Sequence, residues 1–133
     1  LSDLVEAQND YVKPSRTKAE ILQQNKAKGR AFEKQEFAKF SAKYNNAAEQ
    51  VTIKTPSGTR TRVDAIGLDA DGKIVIYEFK SSLTAPLTKN QRVAFEEILK
   101  SGGVVVGKGE GKGIFKGGKL IEAGTEVKII RPN

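Results

Sequence analysis

The chain of 133 residues contains no cysteine, no histidine, no methionine and no tryptophan. Without cysteine there are no disulfides, no thiolate nucleophile and no cysteine-based metal site. Without histidine, imidazole is excluded as an acid, a base or a metal ligand. No apolar run approaches the ~18 residues of a membrane span, so we predict no membrane-spanning segment. Any chemistry must use carboxylates, amines, guanidinium groups, amides or hydroxyls.

The lack of methionine also bears on how the chain is made. Its first residues, LSDLVEAQND, show no basic and then apolar signal-peptide pattern. We expect a domain cut from a longer polypeptide or released by processing, with removal of an initiator as the alternative. Residues 1–15 are polar and include Pro14, which predicts a linker or N-terminal arm. Residues 16–133 fit a single domain.

Positive charge is in excess, with 23 lysines and arginines against 16 acidic residues and a net charge of +7. This balance favours polyanionic partners, either nucleic acid or an acidic protein. Phosphate contacts are predicted for two arginines that alternate on one strand and for lysines in a glycine-rich loop. These residues are Arg60, Arg62, Lys108, Lys112, Lys116 and Lys119. A flexible, solvated loop is the alternative for the lysines.

Hydrophobic periodicity predicts the order ααβββαββ. The predicted helices cover residues 15–45, in two segments separated near Gly29, and 91–101; the strands cover 49–55, 59–68, 73–82, 103–107 and 126–133. This order predicts an α/β or α+β domain with a mixed central sheet flanked by helices.

Three charged residues interrupt the most apolar hairpin, RVDAIGLDADGKIVIYEFKSS, at Asp64, Glu78 and Lys80. A two-residue turn would place Asp64 and Glu78 on different faces. A three-residue loop ending in a left-handed Gly72 would pair them directly, with Cβ atoms ~5 Å apart. We favour the second register because glycine stands at the last loop position. It places all three charges on one face of adjacent strands.

Two facing carboxylates repel unless one binds a proton or a cation lies between them. Hard oxygen ligands suit Mg²⁺ or Mn²⁺, which can activate water and stabilise a phosphate transition state. Lys80 could then hold that water or the phosphate. The alternative is an amphipathic hairpin in which Lys80 pairs with Asp64 and Glu78. Since the neighbouring residues are apolar throughout, we favour a buried site.

Asp64 and the later tripeptide EFK, with Glu78 and Lys80, resemble the D…(D/E)xK signature of the PD-(D/E)xK nuclease superfamily. The proline of that signature is absent. The resemblance implies a restriction-endonuclease-like core. GRAFE, which contains Gly29 and Glu33, is similar to a GxxxE motif whose Glu helps bind metal. LTKNQ is similar to an element in which a glutamine, here Gln91, supports the site. The alternatives are a solvated acid for Glu33 and a simple helix-start residue for Gln91.

Residues 102–133 resemble the C-terminal ends of nuclease toxins carried by contact-dependent growth inhibition proteins and related polymorphic toxins. The resemblance implies delivery as part of a large secreted bacterial polypeptide, action in the cytoplasm of the target cell and a cognate immunity protein as partner. Such toxins cleave DNA or tRNA, and some use Zn²⁺.

The sequence therefore predicts a metal-dependent endonuclease toxin that uses Mg²⁺, with Mn²⁺ or Zn²⁺ as alternatives. Aromatic side chains stack on single-stranded bases, and they make up only 7% of the chain. DNA is therefore favoured over tRNA as the substrate. The alternative from another class is a non-catalytic, basic nucleic-acid-binding module.

Overall fold

The computed structural model describes residues 16–107 and 112–133. The predicted N-terminal arm and Lys108 lie outside the described residues. The elements are α1 (Lys18–Lys43), β1 (Asn45–Lys54), β2 (Arg60–Leu68), β3 (Ile74–Phe79), α2 (Lys89–Ser101), β4 (Gly103–Val106), β5 (Leu120–Ile121) and β6 (Val127–Ile130).

Helix α1 is a single uninterrupted helix. It begins after Thr17, whose hydroxyl accepts a hydrogen bond from the backbone N–H of Glu20 at 3.1 Å. The helix runs through Gly29, so the predicted break at this residue is wrong. An interior glycine costs about 1 kcal/mol relative to alanine. The burial of Phe40, with Phe32 packed in the same apolar cluster, offsets that cost.

The six strands form one mixed sheet in the order β5-β4-β1-β2-β3-β6. Strands β3 and β6 are parallel and the other neighbours are antiparallel. The predicted class, a mixed sheet with helices in an α+β domain, is confirmed. Strand β5 was not predicted, because two residues are too few to show a periodic pattern.

The two helices cover opposite faces of the sheet, as the alternation along β3 shows. Ile74 and Ile76 pack in the main core cluster with residues of α2, including Phe95. Val75 and Tyr77 pack in the cluster that contains residues of α1. Strand β3 is thus covered on both faces, and a charged residue within it is shielded from water. Neither described helix is long and apolar enough to cross a membrane.

Candidate active site

The β2–β3 hairpin determines which charged side chains can meet. Ala65 pairs with Tyr77, and the hairpin is closed by a three-residue loop that ends in Gly72 with φ of 80°. The predicted register is therefore confirmed. The same offset places Asp64 beside Glu78 on the neighbouring strand.

Asp64 is 9% exposed and is held by two hydrogen bonds. Its Oδ2 atom accepts from the backbone N–H of Phe79 at 2.7 Å, and its Oδ1 atom accepts from Nε2 of Gln50 at 3.2 Å. One bond comes from each neighbouring strand. The orientation of the carboxylate is therefore set from both sides.

Glu78 is 5% exposed, and its two carboxyl oxygens have different surroundings. Oε2 accepts a hydrogen bond from Nε2 of Gln91 at 2.9 Å. Oε1 is buried and has no hydrogen-bond partner among the described residues. Burial, and next the negative charge of Asp64, raise the pKa of Glu78 to about 8, while the charge of Lys80 acts in the opposite direction. A buried oxygen without a partner is unusual in a native protein and indicates a site for a proton or a cation.

Gln91 connects Glu78 to Lys80. Its Oε1 atom accepts from Nζ of Lys80 at 3.1 Å, while its Nε2 atom donates to Glu78. Gln91 is the third residue of α2, and its side chain also accepts from the backbone N–H of Thr88 in a capping box. The helix start therefore fixes the amide in one orientation. Gln91 is both the helix-start residue and a contact of the two predicted site residues.

Glu33 lies on α1 and is partly buried. Burial raises its pKa, and the negative charges of Asp64 and Glu49 do the same, whereas the positive charge of Arg62 lowers it. Glu33 is thus within electrostatic range of the site. Among residues 16–107 and 112–133, no three acidic side chains approach closely enough to form a ligand group for a metal. The predicted carboxylates form a close pair, Asp64 and Glu78, with Glu33 nearby.

Comparison with known proteins adds no family assignment. No protein-family model, curated protein or solved structure matches the chain significantly. The family resemblance therefore rests on the motif residues themselves.

Gln50 is a site residue that the sequence did not reveal. It has φ of 56° in the middle of β1, in the left-handed region that non-glycine residues rarely occupy. Ala48 and Val51 both pack in the main core cluster, although residues three apart on a regular strand face opposite sides. The left-handed residue interrupts this alternation and directs its amide to Asp64. No sequence signal marks a glutamine for this conformation.

The predicted phosphate-binding residues differ in their positions. Arg60 and Arg62 are both exposed, and the positive charge of Arg62 lowers the pKa of Glu33 at the edge of the site. Nζ of Lys112 donates to the backbone carbonyl of Glu49, next to Gln50 on β1. Lys116 and Lys119 are exposed. Lys112 is thus linked by a hydrogen bond to the residue before Gln50, and Arg62 acts on Glu33 through its charge.

Proposed function

We propose that this chain is a metal-dependent nuclease with a restriction-endonuclease-like core. The observation that carries the proposal is the pair of nearly buried carboxylates, Asp64 and Glu78, in which one oxygen of Glu78 has no partner among the described residues. A fold gains nothing from burying two facing acids unless a cation or a proton compensates them. Lys80 beside the pair supplies the additional group that phosphodiester chemistry requires.

The donors around this pair fit a hard divalent cation. Asp64 and Glu78 would hold the ion through carboxylate oxygens, and Glu33, which is not close enough to complete a three-carboxylate group, would add negative charge at the edge of the site. Such ligands suit Mg²⁺ or Mn²⁺, and no histidine or cysteine is present to favour Zn²⁺. When bound, the ion would polarise the phosphate and lower the pKa of the attacking water.

The protein side chains supply positioning and charge. Lys80 is held by Gln91 close to Glu78, so its ammonium group can donate a hydrogen bond to a phosphate oxygen or orient a water molecule. Gln91 also restrains Glu78, and Gln50 with the Phe79 N–H restrains Asp64. This fixed arrangement reduces the reorganisation needed during the reaction.

The substrate is proposed to be nucleic acid, with DNA favoured over tRNA. The net charge of +7 and the exposed Arg62 beside Glu33 support a polyanion as ligand. The toxin role, the secreted parent polypeptide and the immunity partner rest on the resemblance of residues 102–133 to the ends of nuclease toxins.

The test is a cleavage assay with plasmid DNA and with total tRNA in separate reactions, each containing Mg²⁺, Mn²⁺ or Zn²⁺. We expect cleavage of one substrate with Mg²⁺ or Mn²⁺, and a loss of at least a hundredfold in Asp64→Ala and Lys80→Ala, the size expected when a charged catalytic group is removed. Asp71→Ala is the matched control, since Asp71 is an exposed acid of the same hairpin.

Unchanged cleavage in Asp64→Ala and Lys80→Ala would refute the proposal, as would the absence of products with every ion and both substrates. A non-catalytic nucleic-acid-binding module would instead show salt-dependent binding and no products.

A further inference from the structure

Two tyrosine hydroxyls meet on the α1 side of the sheet, away from the carboxylate pair. The hydroxyl oxygens of Tyr44, directly after α1, and of Tyr77, on β3, are 2.7 Å apart. Their rings pack edge to face with centroids 5.7 Å apart, and both contact the ring of buried Phe40. Aromatic packing therefore fixes where the two hydroxyls lie.

Among the described residues, the tyrosine pair leaves one hydroxyl proton without a protein acceptor. Each phenol has one O–H, and the bond between them uses only one of these two donors. The described residues offer the pair no other acceptor. A lysine ammonium only donates, so a neighbouring lysine cannot receive the remaining proton. Tyr44 is partly exposed, so its O–H can donate to water or to a bound ligand.

Two lysines make an anionic acceptor the favoured one. Nζ of Lys43 lies 5.3 Å from the ring centroid of Tyr44, and Lys128 on β6 is the parallel-strand partner of Tyr77. Within residues 16–107 and 112–133 neither lysine forms an ion pair, whereas Lys39, one turn earlier on α1, contacts Glu36 at 3.2 Å. The hydrogen bond from Tyr77 lowers the pKa of Tyr44, and the nearby Lys43 and Lys128 lower it further. This direction fits a Tyr44 that accepts from Tyr77 and presents its own O–H outward.

We propose that Lys43, Tyr44 and Lys128 form a binding site for a backbone phosphate of a nucleic acid strand, remote from the carboxylate pair. The nature of the ligand rests on the proposed function. Tyr77 directly precedes Glu78, and successive strand residues face opposite sides of a sheet. Strand β6 lies at the edge of the sheet. A bound nucleic acid would therefore pass around this edge to reach both sites. The remote phosphate contact would add affinity without base specificity.

The experiment measures equilibrium binding of a labelled DNA duplex of about 20 base pairs, and of total tRNA, between about 50 and 200 mM salt in EDTA. EDTA prevents metal-dependent cleavage, so binding is measured alone. We expect Lys43→Ala and Lys128→Ala each to reduce the magnitude of the slope of log K against log salt, and the double variant to reduce it by about 0.9, because the two lysines together neutralise one phosphate. Tyr44→Phe should weaken binding at least about tenfold with an unchanged slope, since it removes a hydrogen bond to a charged phosphate but no positive charge. Lys39→Ala is the matched control and should behave as the wild type.

Wild-type slopes in both Lys43→Ala and Lys128→Ala, with folding verified by circular dichroism, would overturn the site even if the protein cleaves nucleic acid. Binding with the expected slopes but without cleavage in any divalent ion would support the site and refute the nuclease proposal. Binding of neither probe by the wild type would overturn the remote site, while the cleavage assay with divalent ions would decide the nuclease proposal separately.

Discussion

The raised pKa of Glu78 predicts an unusual dependence of stability on pH in the absence of divalent ions. A carboxyl whose pKa is higher in the folded than in the unfolded chain binds its proton more tightly when folded. Its contribution to stability is therefore complete below the unfolded pKa of 4.5 and is lost as the pH rises to about 8. Over this range the wild type should become less stable as the pH increases.

The size of the effect follows from the pKa difference. A rise from 4.5 to about 8 corresponds to at most about 5 kcal/mol, at ~1.4 kcal/mol per pH unit. Because water penetration and local relaxation moderate such effects, we expect about 2 to 4 kcal/mol. Glu78→Gln keeps the size of the side chain and cannot ionise. The variant should therefore lose this part of the pH dependence. Its unfolding free energy, relative to that of the wild type, should increase as the pH becomes alkaline.

The assay is urea denaturation followed by far-UV circular dichroism, in EDTA, at several values between about pH 5 and about pH 8.5. The informative quantity is the difference in unfolding free energy between the wild type and Glu78→Gln, since titrating groups that do not interact with Glu78 contribute equally to both. Adding Mg²⁺ at the alkaline end should stabilise the wild type more than the variant. A difference that stays constant across the pH range would refute the assignment of a raised pKa to Glu78.

Three further predictions concern side chains around the site and the core. Gln50→Gly should change the unfolding free energy by less than about 1 kcal/mol, because glycine accepts the left-handed backbone, but it should reduce cleavage at least tenfold because Asp64 loses a hydrogen bond. Asn46→Gly is the control, at the other left-handed non-glycine position among the described residues, and it should leave cleavage unchanged. Gln91→Ala should lower both the stability and the cleavage rate, because it removes the contacts with Glu78 and Lys80. Thr88→Ala should cost about 1 kcal/mol of unfolding free energy through the lost helix cap and leave the cleavage rate of the folded protein near that of the wild type. Gly102→Ala should destabilise the fold by more than about 2 kcal/mol in thermal denaturation, because φ is 74° and a Cβ would collide with the backbone of β5. Cleavage by Gln50→Gly at the wild-type rate, or an unchanged melting temperature in Gly102→Ala, would contradict the corresponding account.

The hairpin could be predicted because its determinants are local in sequence. A glycine at the last loop position selects the three-residue loop, and the loop fixes which residues face each other. Asp64 and Glu78 could therefore be paired from the sequence alone. Gln91 could be predicted only through its motif, since its contacts with Glu78 and Lys80 depend on how α2 packs against the sheet.

The contribution of Gln50 could not be predicted for a related reason. Gln50 lies between Ala48 and Val51, whose packing in the core and pairing with β2 depend on tertiary structure and not on the local sequence. A propensity-based prediction assigns glutamine an ordinary backbone. The predicted break at Gly29 was wrong because tertiary packing of the phenylalanines on α1 outweighs the local penalty of one glycine.

Whether the carboxylate pair is a metal-dependent nuclease site can be tested by measuring Mn²⁺ binding with electron paramagnetic resonance and nucleic acid cleavage in the same samples of wild type and Asp64→Asn. This substitution keeps the size of the side chain and removes its charge. We expect the wild type to bind the ion and cleave the nucleic acid, and Asp64→Asn to lose both by at least about a hundredfold. Equal Mn²⁺ binding by the two proteins, or cleavage that persists in Asp64→Asn, would contradict this expectation.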